Sequence, residues 1–267
     1  MGSSEVYEVR PHGVTWFHII VFAIVTGICT ILAVYAVIVA PVPGAPGVSG
    51  LYIAAGVYVP VSLWFGIWGC LAGYLSCLFM GIWVGMPMPL HILAIWSLAD
   101  FFEGFVPLAV FRVFNLDVEL KMKNSKTLAA LLVILLLDLV VSALALTVEA
   151  IGRAWVVTIL GLEFSVVFLA TAIVAFLVLI AIAIVTRSAS WVAYIIFGII
   201  GASLVSALIG AYGLCASGLV PWELYPIIFF GWAFGDMIVL ATIGTTLMVV
   251  LTPVIKRSYA YVRGWFS

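Results

Sequence analysis

Residues 16–40 read WFHIIVFAIVTGICTILAVYAVIVA, a run without a single Asp, Glu, Lys or Arg. A helix rises about 1.5 Å per residue and the hydrocarbon core of a bilayer is about 30 Å thick, so a run of this length crosses with some tilt. The rest of the chain has the same character. Of its 267 residues, 67% are hydrophobic and 8% are charged. Soluble domains are roughly 45–50% apolar and about 25% charged. A water-exposed fold with this composition would present large apolar patches and aggregate, a problem that lipid removes. The expected fold class is all-α: a polytopic transmembrane helical bundle of about seven spans, with room for an eighth helix that is short or re-entrant. Residues 1–267 are read as a single integral membrane domain.

Outward from this first span, PVPGAPGVSG (41–50) holds three prolines and three glycines and reads as a loop. Residues 51–85 are apolar throughout, too long for one span and short for two. Pro60, Gly66 and Gly69 suggest a break near Phe65, giving a short helix over 51–64 and a span over 66–85. The short piece reads equally as re-entrant, a form that survives only where protein or water satisfies its backbone. MPMP (86–89) marks a turn. Further spans are expected over 91–113, 128–150, 160–186, 191–212 and 227–254, with a polar stretch, NLDVELKMKNSK, at 115–126. The polar residues 1–13 carry no basic n-region, and no clear cleavage site follows, so 16–40 is read as a retained span rather than a signal peptide.

Basic residues set the orientation. Arg112, Lys121, Lys123 and Lys126 cluster at one loop, Arg187 sits at a second turn, and Lys256, Arg257 and Arg263 follow the last span. These fall on one side if every segment after His91 crosses once, whereas the intervening turns hold only Arg153. The positive-inside rule then places them and the C-terminus in the cytoplasm, for a multi-pass protein of the cell membrane. The N-terminus joins them if 51–85 crosses twice and is external if it crosses once. The tail, KRSYAYVRGWFS, is basic and aromatic, and is expected to lie at the interface beside anionic headgroups.

Small residues recur every fourth position at Gly69, Gly73, Cys77, Gly81 and Gly85, and again at Gly198, Ala202, Ser206 and Gly210; Gly231 and Gly235 make a shorter pair. Such ridges let helix backbones approach closely in lipid, with a partner helix from this chain or from another. The acids are the sharper signal. Asp100 and Glu103 are three residues apart on one helix face, mid-span, with Gly104 and Pro107 able to kink the helix or free a carbonyl. Asp138 and Asp236 are also mid-span, and Glu149 and Glu163 lie nearer span ends. Placing a carboxylate at the bilayer centre costs about 2.5–3.5 kcal/mol even on the lenient insertion scale, so these acids face the bundle interior. They read either as a substrate or ion site, or as hydrogen-bonded acids that hold helices together. No basic residue sits mid-span, and Arg112 is expected to snorkel to the interface. A cationic or hydroxyl-rich small-molecule ligand, or a partner helix, would supply the complement. Trp64, Trp68 and Trp96 add stacking surface to such a site, or serve as packing and interfacial aromatics.

The ten Lys and Arg are too scattered for a nucleic-acid surface. His12, His18 and His91 have no partner at helical spacing, and Cys29, Cys70, Cys77 and Cys215 form no close pair, so no metal or cofactor is indicated. No nucleophile triad, phosphate-binding glycine loop or HExxH motif stands out, and the chain is not expected to be an enzyme.

The stretch 57–112, VYVPVSLWFGIWGCLAGYLSCLFMGIWVGMPMPLHILAIWSLADFFEGFVPLAVFR, resembles the substrate-capturing S components of energy-coupling-factor transporters. In that family a short apolar helix (here 57–64) leads into a Phe-Gly turn (65–66), a glycine-rich span (67–85) and a span with glycine beside polar residues (90–112). The resemblance implies a vitamin-like small molecule bound near the external side under the 41–50 loop. It also implies energy supplied by a coupling subunit and ATPases. Gly235–Asp236 in a late span is also similar to prokaryotic membrane sensor domains. Membership of a larger membrane complex as a non-catalytic structural subunit is the reading of a different class.

Overall fold

A computed structural model describes residues 14–42, 44–122, 125–150, 156–159 and 162–266. The helices are α1 (Trp16–Val39), α2 (Ala55–Phe65), α3 (Ile67–Trp83), α4 (Leu90–Trp96), α5 (Leu98–Val113), α6 (Ser125–Ala150), α7 (Val166–Thr186), α8 (Ala189–Ala193), α9 (Ala202–Ala216), α10 (Tyr225–Val239) and α11 (Thr245–Ile255). A π-helical turn at Tyr194–Gly201 joins α8 to α9, and another at Leu240–Gly244 joins α10 to α11. Among the described residues, six segments are long and apolar enough to cross a bilayer, and α2 and α3 are shorter apolar helices. The chain is a multi-pass, all-α membrane bundle.

One expected span is shorter than its apolar pattern suggested. Strand β1 (Val156–Ile159) pairs antiparallel with β2 (Leu162–Ser165), so the helix expected from residue 160 begins at Val166. The 162–165 segment has the alternation LEFS, which suits a ladder better than a helix face. The side chains of Glu149 and Glu163, and residues His12, Lys123 and Arg153, lie outside the described residues.

The 51–85 segment goes down and back. The break falls at Gly66, whose φ of 63° is open to glycine and costly for other residues. Its amide side meets the C-terminal tail: Ile67 N–H donates to Trp265 O at 2.9 Å, and Val262 N–H to Trp64 O at 2.9 Å. Phe22 near the start of α1 packs edge-on against Trp68, whose indole donates to Phe266 O. The start of α1 and the tail therefore share one end of the bundle. The Arg112 guanidinium is at the same end, donating to Leu63 O (3.0 Å), Val262 O (2.8 Å) and Gly264 O (2.8 Å). Trp191 donates to Lys121 O, and Lys256 pairs with Asp117 and Glu119, which gathers the remaining basic loops there. The tail is thus a packed strap, with Ala260 and Val262 buried, rather than a free interfacial end.

The small-residue ridge of α3 finds its partners inside this chain. A Cβ at Gly69 would collide with the backbone of Ser62 on α2. One at Gly73 would press on Tyr58 and the Asp100 carbonyl, and one at Gly81 on Leu93. The α9 ridge likewise faces inward, with Gly210 beneath the Trp232 ring. Glycine here trades side-chain packing for close approach of helices, which is the main source of contact energy in lipid. The outward faces carry exposed Ile, Leu, Val and Phe, as lipid contact requires.

Candidate functional site

The 41–54 loop is drawn into the bundle at the end opposite the tail. Pro41 and Ser49 form a bridge, Ser49 Oγ–H donates to Ala36 O at 2.9 Å, and Gly50 N–H donates to Ala40 O at 2.8 Å. Val48, Ser49, Leu51 and Tyr52 are buried. Gly47 and Gly235 make this possible. A Cβ at Gly47 would overlap the Met86 thioether, and one at Gly235 would collide with the Gly50 carbonyl oxygen. The loop therefore rests directly on the backbone of α10, one residue from Asp236.

Beneath the loop, three acids from two helices converge. Asp100, Glu103 and Asp236 have relative exposures of 1%, 0% and 0%. Tyr52 O–H donates to Asp100 Oδ2 at 2.9 Å, and Tyr58 O–H donates to Glu103 Oε2. The two tyrosine rings meet edge-to-face, 6.5 Å between centroids. Glu103 lies within electrostatic reach of both Asp100 and Asp236, and Asp236 faces Trp232 as well. Asp100 Oδ1, Glu103 Oε1 and both Asp236 carboxyl oxygens are buried without a hydrogen-bond partner, as are the hydroxyls of Ser203 and Ser206 on α9. Ser206 also lies within reach of the Glu103 carboxyl. Buried polar atoms are otherwise nearly always satisfied, so this concentration of unmet acceptors in one place is unusual.

Local backbone geometry prepares the cluster. Pro107 removes a hydrogen-bond donor from α5 just after Glu103, and the Gly104 carbonyl accepts from Ser62 Oγ at 2.9 Å. The π-helical turn after Asp236 leaves the Leu240 carbonyl to accept from Thr245 at 3.1 Å and Tyr194 at 3.4 Å. A small cavity of about 10 Å³, the room of roughly one water, lies between the loop and the cluster, lined among others by Ser49, Tyr52, Cys77, Trp96, Asp100 and Trp232. Among the described residues, no three His, Cys, Asp or Glu side chains converge as metal ligands would.

The residues singled out from sequence divide into two sets. Asp100, Glu103, Asp236 and Trp96 come together here. Trp64 instead donates to Thr252 Oγ1 at 2.9 Å, and Trp68 lies at the tail end. Asp138 is buried on α6, which packs on α7 and the 240–244 turn, and its Oδ2 lacks a partner. The ion pairs among the described residues join Lys121 or Lys256 to Asp117 or Glu119, far from the acids and outside the spans. Tyr52, Tyr58, Ser203 and Trp232 went unrecognised in the sequence, and Ser206 stands there only as a member of a small-residue ridge. Their only signal was polar or amphipathic character inside apolar runs, which many interfacial residues share.

No protein-family model, curated protein or solved structure matches the chain.

Proposed function

We propose that this protein is a membrane transport component that captures a small cationic solute between its helices, at Asp100, Glu103 and Asp236, beneath the 41–54 loop. One observation carries the reading. Four carboxyl oxygens of three fully buried acids have no donor, and no Lys, Arg or His sits mid-span to neutralise them. Uncompensated charge in a low-dielectric interior costs several kcal/mol per ion, so the cluster holds protons or a cation. An organic ammonium can spread its donors over several separate oxygens. Tyr52 and Tyr58 hold one oxygen of each α5 acid and leave the other free, which orients the acceptors toward the interior. The cavity has room for about one water in this conformation, so a solute enters only when an element around it, such as the roof loop, is displaced.

The site's position under the loop is the one that the S-component resemblance implies, and with it come partner subunits, a coupling protein and ATPases, as the source of energy. The basic loops gathered at the tail end favour a cytoplasmic C-terminus and N-terminus, with the roofed site toward the outside of the cell membrane.

The test is thermal unfolding of the purified protein in lipid nanodiscs, titrated with methylammonium, ethanolamine and choline. At a hundredfold excess over Kd a ligand adds about 2.7 kcal/mol of stability. At least one of these cations is expected to raise the Tm, and Asp100→Asn with Glu103→Gln to remove the rise. No shift with any of them, or a shift that survives in the double variant, rejects the site. Co-purification separates the classes: ATPases support transport, and a stoichiometric enzyme complex supports a structural subunit.

A further inference from the structure

A second concavity lies on the outer, lipid-facing side of the same region. It is a groove of about 510 Å³ between α4 and α9, walled by Ile92, Ile95, Leu208, Tyr212 and Gly213. Ile95, Leu208 and Tyr212 are exposed, so the groove opens sideways into the acyl-chain region rather than along the bundle axis. Its floor is Trp96, and Trp96 is also a wall of the small cavity beside Asp100. A single indole therefore separates an apolar, lipid-accessible groove from the acidic interior.

The indole's position depends on a few contacts. Its N–H donates to Gly210 O at 3.0 Å, and its ring meets Trp232 edge-on at 5.7 Å. Gly213 leaves room for it: a Cβ there would lie 2.9 Å from Trp96 Cδ1. Trp96 is the one residue that lines both spaces, so its side chain is the divider whose displacement would join them. The two spaces together are lined mostly by apolar residues, and the inner one reaches Asp100, the acid beside Glu103.

We infer that the groove and the acid cavity form one divided site, and that its ligand is an amphipathic cation whose apolar body lies in the groove and whose ammonium head reaches the carboxyls past Trp96. This rests on the reading of the acid cluster as a cation site, and adds both the substrate class and a lateral route of entry. Charge complementarity selects this occupant over an ordinary acyl chain, which would use the groove and leave the carboxyls unmet.

The experiment measures binding of methylammonium, butylammonium and hexylammonium to the protein in nanodiscs, with empty nanodiscs as the blank and hexanol as the neutral analogue. Each buried methylene strengthens binding by up to about fourfold, so hexylammonium is expected to bind more than about tenfold tighter than methylammonium, and hexanol far more weakly. Ala216→Phe, which fills the groove from its exposed rim, is expected to erase the chain-length preference while leaving methylammonium binding intact. Leu208→Trp is the second groove-filling variant should the first lower the Tm. Chain-length dependence that persists in both variants places the chain in bulk lipid and overturns the inference. Hexanol binding as tightly as hexylammonium overturns it too, since the groove then holds any acyl chain. If no ammonium binds, the cation-site reading fails and takes this inference with it; if methylammonium binds and hexylammonium gains nothing, only the divided site fails.

Discussion

Tyr52, in the loop that roofs the cavity, donates its phenol hydrogen to Asp100 in the first turn of α5, at 2.9 Å. The contact joins the buried part of this loop to a buried acid of the bundle, so the loop's position and the acid's environment are set together. Removing the hydroxyl leaves a second Asp100 oxygen without a donor, because Oδ1 already lacks one.

Tyr52→Phe is therefore expected to lower stability by about 1–3 kcal/mol, the cost of a buried polar group losing its partner. Tyr58→Phe should behave alike at Glu103. Tyr212→Phe, on the lipid-exposed face, is expected to shift stability by less than about 0.5 kcal/mol. Thermal unfolding in nanodiscs compares the three, and equal effects at all positions would refute the idea that the loop is tied down through the acids.

Gly231 and Gly235 lie one turn apart on α10 with opposite surroundings. Nothing lies within 4 Å of a Cβ at Gly231, whereas Gly235 abuts the Gly50 carbonyl. Gly235→Ala should cost about 1–3 kcal/mol by overpacking and should push the roof loop outward. Gly231→Ala should be neutral or stabilising by up to about 1 kcal/mol, since it reduces helix flexibility at no steric cost. Tm values, together with cysteine-labelling rates at a Val48→Cys reporter, distinguish the outcomes.

Arg112 ties two tail carbonyls, Val262 O and Gly264 O, to Leu63 O of α2, a fork that a lysine cannot reproduce. Arg112→Lys is expected to loosen residues 256–266 and raise tryptic cleavage after Arg257 severalfold, read by intact mass. An unchanged cleavage rate would mean that the stack of Phe105 on Trp265 and the Gly66 contact hold the strap alone.

Outside the spans, the Lys256–Asp117 pair at 2.7 Å gives a modest pH dependence. Partial burial would raise the Asp117 carboxyl, but the Lys256 ammonium and the Glu119 N–H hold it below its ordinary value. Burial would lower Lys256, and the two acids more than offset that, holding it above its own. The pair's contribution is thus present above about pH 4, the unfolded Asp value, and fades as pH falls through the lower folded one. At the alkaline end it is complete below about pH 10.4 and fades as pH rises through the raised lysine value. With Asp117 about half exposed, the effect should stay under about 1 kcal/mol. Asp117→Asn is expected to flatten the acid limb of a Tm–pH profile below about pH 4, and an unaltered limb would count against the pair.

The sequence by itself determined the solvent and most of the elements. Uncharged runs such as 16–40 leave a helix no environment but lipid, and Gly66 marked the break between α2 and α3 because its backbone freedom is local, whereas Pro60 sits inside α2 without ending it. It also picked out Asp100, Glu103 and Asp236, since the cost of an acid at mid-depth does not depend on its neighbours. The tertiary structure alone decided that these three share a cluster while Asp138 stands apart on α6, and that the phenols of Tyr52 and Tyr58 reach across 48 and 45 positions to meet them. Only the fold showed that the α3 glycines serve this chain's own helices, and that the tail folds back on Gly66. These outcomes turn on which helix faces meet. In lipid that choice is governed by close packing and hydrogen-bond matching between distant segments, and neither leaves a period or a spacing in the linear chain.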